Sequence, residues 1–237
     1  MKRIAFLTIA LAAASLSHAA EIYNNGPVVN SSGRSVIGPE YTTYGYGMNT
    51  AGDLAVADDF NIAEGSRWNV SSIDFFGYQT GAGKFSFQEA SWSIVSGHVN
   101  SDIVLASGTT TLTNGGLEGY RVSAGALNGQ TRGIYRAQAD IADVTLDAGH
   151  YFLRWSLTGS GTSGPWQPPV SGISAGNAAQ WDADLGFLKL VDSGGGTVEL
   201  PFALHGSVSA VPEPETYGML LAGLAMVGAL ARRRKQA

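Results

Sequence analysis

The chain has 237 residues, a formal net charge of −5, 32 glycines and no cysteine. Charged residues make up 14% of it, against a usual share of about 25%. Without cysteine there is no disulfide, thiol nucleophile or thiolate ligand, and the acidic balance argues against nucleic acid as a partner.

The N-terminus has the three parts of a secretory signal peptide. Lys2 and Arg3 supply the positive region, Ile4 to Leu16 is an uncharged apolar stretch, and Ser17-His18-Ala19 offers small residues at the two positions a signal peptidase reads. Cleavage after Ala19 fits best. We therefore assign residues 1–20 to a signal helix, 21–209 to an exported domain and 210–237 to a separate C-terminal segment.

The body between these ends is large enough for one domain with a real core. It carries eight basic and seventeen acidic side chains, a balance of −9. That is compatible with neutral glycans and divalent cations, and not with an anionic polymer bound by charge alone. Tyr41, Tyr44 and Tyr46 form an aromatic cluster near its start, either a contact surface or an edge strand.

Period-2 patterning then dominates. Strands are expected near Ala55–Ile62, Ile103–Leu112, Gly133–Ile141 and Leu185–Val191. Trp68 and Val70 share one phase, and Ile73 and Phe75 the other; Phe85 and Phe87 likewise oppose Trp92 and Ile94. Such phase switches indicate bulges, or a strand passing between two sheets. Tyr151, Leu153, Trp155 and Leu157 alternate, as do Val198, Leu200, Phe202 and Leu204. Pro201 in the last run predicts an edge strand or a bulge. Turn signals recur at Gly81-Ala82-Gly83, Asn114-Gly115-Gly116, Asn128-Gly129 and Gly194-Gly195-Gly196. The expected fold is all-β, an antiparallel two-sheet sandwich of jelly-roll type.

Gly159 to Gln180 reads as a long loop, with Pro165, Pro168 and Pro169 fixing the chain around Trp166. Trp166 and Trp181 suit an aromatic platform for a sugar ring, or fold back over an open end of the sandwich. Catalytic constellations are missing. His98, His150 and His205 adjoin no Gly-x-Ser-x-Gly elbow and form no zinc pair, and no catalytic residue is assigned. Asp58-Asp59 and Asp182-x-Asp184 are the tightest acidic pairs. Asp182 and Asp184 are weak candidates for a structural calcium, but lack the spacing of a loop cage. Otherwise no cofactor is expected.

The C-terminal segment is the most specific signal. Val211-Pro212-Glu213-Pro214 must be extended, since each proline fixes its φ and pushes the preceding residue out of the helical region. Tyr217 to Ala231 is a 15-residue apolar run, about 22 Å of helix against a hydrocarbon core of about 30 Å. Such a span is a marginal, temporary transmembrane anchor in the inner membrane. Arg232, Arg233, Arg234 and Lys235 form its cytoplasmic stop by the positive-inside rule.

These three parts, in order, resemble the PEP-CTERM sorting signal. The resemblance covers about the last 27 residues. It implies recognition of Pro212, Glu213 and Pro214 by an exosortase, a membrane-embedded transpeptidase-like enzyme, in a Gram-negative host that makes exopolysaccharide. The implied destination, after transient anchoring, is the cell surface or the extracellular space. Ala57-Asp58-Asp59-Phe60, Ile73 to Tyr78, Gly149-His150-Tyr151 and the Gly-Pro-Trp loop together look like a body type recurrent among such proteins, one without an assigned activity. Three roles stay open: a structural or adhesive envelope protein, a carbohydrate-binding module using the Trp166 loop, and an enzyme acting on polysaccharide.

Overall fold

Two antiparallel sheets face each other across one apolar core in the computed structural model, which describes residues 19–38, 42–172, 175–211 and 225–226. The strands in chain order are β1 (Ala20–Asn24), β2 (Arg34–Ile37), β3 (Tyr46–Gly47), β4 (Val56–Ile62), β5 (Ser66–Gly77), β6 (Phe87–Ser96) and β7 (Val104–Ser123). They continue with β8 (Gly133–Leu146), β9 (Gly149–Gly159), β10 (Trp166–Gln167), β11 (Ala179–Asp182), β12 (Gly186–Lys189) and β13 (Phe202–Ala210). One sheet runs β1-β13-β5-β8-β7, with β2 parallel to β7. The other runs β7-β6-β9-β4-β11-β12.

The strand β7 belongs to both. Its first half, Val104 to Thr111, pairs with β6; its second half, Leu112 to Tyr120, pairs with β8. Asn114-Gly115-Gly116, expected as a turn, instead lies inside this strand. The register shifts there by one residue against β8, and Gly116 takes φ +115°, a region that side-chain-bearing residues rarely adopt. The glycines thus bend a continuous strand rather than reverse it.

The two phase switches are bulges. In β5 the register shifts between Val70 and Ser72, so that Trp68, Val70, Ile73 and Phe75 all face inward. In β6 it shifts between Phe87 and Ala90, which keeps Phe87, Trp92 and Ile94 buried. Pro201 does not make an edge strand. It immediately precedes β13, which is flanked by β1 and β5, so its missing N–H removes no ladder bond.

Aromatic contacts join the layers. Phe60 of β4 stacks on Trp68 of β5 at 6.0 Å, and Trp155 of β9 meets Phe75 of β5 at 5.9 Å and Phe202 of β13 at 5.8 Å. Each fully buried ring contributes about 2–3 kcal/mol of hydrophobic stabilisation. Among the described residues no helix is long and apolar enough to cross a membrane. The expected signal segment up to His18 lies outside those residues. So does the expected span Tyr217–Ala231, apart from Ala225 and Met226.

Candidate functional site

Three places draw the sequence-predicted residues together: the junction with the tail, a cavity beside Trp166 and a cavity beside Trp181.

At the junction there is almost no spacer. The last residue of β13, Ala210, pairs with Ser66, and the Val211 N–H donates to the Gly65 carbonyl at 2.8 Å. The expected recognition element starts at the next residue. Val211 is exposed. Pro212, Glu213, Pro214 and the stop residues Arg232 to Lys235 lie outside the described residues.

Trp166 and Trp181 do not share a platform. Trp166 sits in the two-stranded ribbon β3–β10, opposite Gly47, and its backbone exchanges two hydrogen bonds of 3.0 Å with Tyr78 at the end of β5. Its indole N–H donates to Ser163 Oγ at 3.1 Å, and its ring packs on a small cluster of Val28, Phe76, Tyr78 and Ile134. One face lines a cavity of about 240 Å³ with Tyr44, Gly45, Tyr78, Thr80, Arg132 and Ser163. The Gly164–Pro165 bond, just before Trp166, is cis.

Trp181 belongs to β11 and packs edge-on against Phe187 at 5.3 Å. It lines a second cavity, of about 310 Å³, with Asp53, Trp92, Arg154 and Phe187 among its walls. Arg154 is committed there: it donates to the Val99 and Ser101 carbonyls, both at 2.8 Å.

Two anchors position the first cavity. Arg121 is 2% exposed and donates to the carbonyls of Thr43 and Tyr44 and to Ser35 Oγ. Asp192, 3% exposed, accepts from the N–H groups of Thr42, Thr43 and Gly194, from the Thr42 hydroxyl and from Tyr46. Burial alone would raise its pKa. The backbone N–H groups of Gly194 and Thr42, with those of Thr43, outweigh burial and hold it well below the usual carboxylate range. Together the two charges clamp residues 42–46, and with them Tyr44 and Gly45.

The acidic pairs lie away from the Trp166 cavity. Asp182 Oδ1 accepts from the N–H groups of Asp184 and Leu185, so it caps the β11–β12 hairpin. Asp58 is fully buried and accepts from Leu200 N–H at 2.6 Å, Asn25 Nδ2 and Asp59 N–H. Burial, then the Glu199 charge and a hydrogen bond to Glu199, push its pKa well up. Asp58, Asp59 and Glu199 bring carboxylate oxygens within 4.8 Å of one another. These acids fasten β4 to the segment that leads into β13, while His150 Nε2 lies 2.6 Å from Asp59. The other body histidines hold structure as well: His98 Nδ1 accepts from Asn100 N–H, and His205 Nε2 lies 2.9 Å from Asp74.

Sequence reasoning missed Tyr78, Arg132 and Asp192. Tyr78 closes an apolar run and reads as core, and Arg132 stands beside a turn signal like any surface charge.

The β-sandwich body ends at Val211, with β13 running up to Ala210, and the tail follows directly. Residues 210–235 carry the PEP-CTERM protein-sorting motif. The motif implies export, transient membrane anchoring and processing by an exosortase; it lies wholly in the tail and leaves the body unassigned. No curated protein matches the chain.

Proposed function

We propose that this protein is a non-enzymatic surface or matrix component of a polysaccharide-rich envelope, exported by a signal peptide and released from its membrane tether by an exosortase. The observation that carries this is the sorting motif at residues 210–235, directly after a folded β-sandwich. Cleavage by signal peptidase after Ala19 would leave Ala20 as the first residue of β1, already paired with Gly206. Both ends of the mature body then lie in one sheet, β1 beside β13. The hydrogen bond from Val211 to Gly65 ties the chain to the sandwich up to the residue before Pro212, which supports a body held close to the bilayer while the tail is intact. A cut beyond Val211 would leave β13 whole.

The test replaces Pro212, Glu213 and Pro214 with alanine in the producing cell. The variant should stay in the membrane fraction with its C-terminus uncut, while the wild type leaves it. Normal release of the triple variant would overturn the sorting mechanism.

A second reading, carbohydrate binding through the Trp166 loop, is favoured by the cavity that Trp166, Tyr44 and Tyr78 wall. Retention of the wild-type chain on polysaccharide gels, lost in Trp166→Ala, would support it. Absence of retention on every gel would remove it.

A further inference from the structure

Three features of the Trp166 cavity bear on what it binds. The first is Arg132. Its guanidinium carbon stands 3.9 Å from the centroid of the Tyr44 ring, and among the described residues it has no hydrogen bond or ion pair. Its guanidinium N–H groups are thus not spent on an acceptor among the described residues, and a planar carboxylate is the group that such a fork takes in a bidentate manner. Among the described residues no carboxylate lines the cavity, although the body carries seventeen acidic side chains.

The second is the Tyr78 hydroxyl. Tyr78 is 1% exposed, yet its hydroxyl has no hydrogen-bond partner among the described residues. The atom is not sealed in protein, so it opens onto the cavity that Tyr78 lines. A hydroxyl that opens onto the cavity offers a hydroxyl-bearing ligand both a donor and an acceptor. Burial keeps this phenol protonated, so it can donate as well as accept.

The third is Gly45. A Cβ at this position would meet Tyr78 Oη at 2.8 Å, Trp166 Cβ at 3.0 Å and the Gln167 carbonyl at 3.2 Å. Any side chain would fill the space into which the hydroxyl opens. The contrast with the second cavity is direct: there Arg154 is spent on two carbonyls and Asp53 lines the wall.

We propose that the Trp166 cavity is a subsite for one carboxylate-bearing sugar unit of an acidic polysaccharide. Arg132 takes the carboxylate, and Tyr78, with Thr80 and Ser163, takes ring hydroxyls. Trp166 and Tyr44 supply the aromatic walls that suit the apolar face of a sugar ring. A volume of about 240 Å³ lies below the roughly 300–1,000 Å³ of drug-sized pockets, and suits a single ring rather than a chain. This inference rests on the carbohydrate-binding reading and adds the charge of the ligand, against the acidic balance of the body as a whole.

The test uses the full chain in detergent, titrated calorimetrically with tetragalacturonate and, separately, with its fully methyl-esterified form. The wild type should bind the acid at least tenfold more tightly than the ester. Arg132→Gln should abolish that preference, and Arg132→Lys should keep part of it. Tyr78→Phe should weaken both probes about 3- to 10-fold while melting no lower than the wild type, because its hydroxyl has no partner to lose among the described residues. Acetate at equal carboxylate concentration should not bind, which separates a sugar subsite from a simple carboxylate site. Equal affinity for acid and ester, or an unchanged preference in Arg132→Gln, would overturn the proposal and leave neutral carbohydrate binding standing. No binding of either probe would overturn it as well. If retention on every polysaccharide gel also failed, the carbohydrate reading would fall with it.

Discussion

Asp58 and Asp192 are both buried aspartates, and they behave in opposite ways. Asp192 sits at a corner where three backbone N–H groups and two hydroxyls converge on it, and its pKa is held far down despite burial. Asp58 sits in the seam between β4 and the segment before β13, and its pKa is pushed far up by burial, with Glu199 adding to it. The difference lies in the neighbours: a ring of donors replaces the lost water at one site, and a second carboxylate faces the other. The signs for stability follow. Asp192 stabilises the fold above the ordinary carboxylate range of about pH 4, and that contribution is lost as the pH falls below it. Asp58 does the reverse: the fold holds its proton more tightly than the unfolded chain, so stability is lost as the pH rises from about 4 through the raised value.

The largest expected effect is at Asp192. Asp192→Ala leaves the donors of Thr42, Thr43, Tyr46 and Gly194 without an acceptor and leaves Arg121 without its nearby negative charge. Unsatisfied buried donors cost about 1–3 kcal/mol each, and some will reach water, so a loss of about 3 kcal/mol is expected. For a body of this size that lowers Tm by roughly 6–12 °C. Thermal melting at pH 7 and pH 3 checks both claims, since the gap to the wild type should shrink in acid. A loss below about 1 kcal/mol would mean that the corner is not held by this carboxylate. The same change should loosen Tyr44 and Gly45, so binding in the Trp166 cavity should weaken even though Asp192 does not line it.

The two acids also mark what could be read from the sequence. The phase switches in β5 and β6 were legible because a bulge is needed whenever an apolar series changes parity yet stays inside. The crossing of β7 was not legible, because a bulge and a reverse turn call for the same residues, and Asn114-Gly115-Gly116 fits either. Trp166 stood out because a tryptophan among prolines and glycines has no strand pattern to belong to. Asp58 is visible in the sequence as half of an acidic pair, but nothing local shows that Glu199 comes to meet it. Asp192 precedes a glycine turn, the usual place of an exposed acid, and its partners at Thr42 and Thr43 lie about 150 positions earlier in the chain. Local pattern sets the strands, while the state of a buried polar group depends on which distant donors arrive.

The smaller effect sharpens the contrast from the other side. If Asp58 is raised in part because Glu199 confronts it, then Glu199→Gln should relieve the seam. The glutamine keeps an amide that can donate to or accept from Asp58, and it keeps an oxygen for Asn25, which now donates to Glu199 at 3.3 Å. It removes one of two neighbouring negative charges, so the pKa of Asp58 should fall toward its ordinary value. The pH-linked loss of stability should fall with it. We therefore expect Glu199→Gln to stabilise the protein by about 1 kcal/mol at pH 8, the scale of a single hydrogen bond. In acid Asp58 holds its proton and presents no charge to Glu199, so there is no repulsion to remove and the advantage should vanish there. Denaturant unfolding at pH 4, 6 and 8 reads the trend. A difference that stays constant across that range would place the origin of the Asp58 shift in burial alone, and the contrast with Asp192 would then rest on donors rather than on the facing acid.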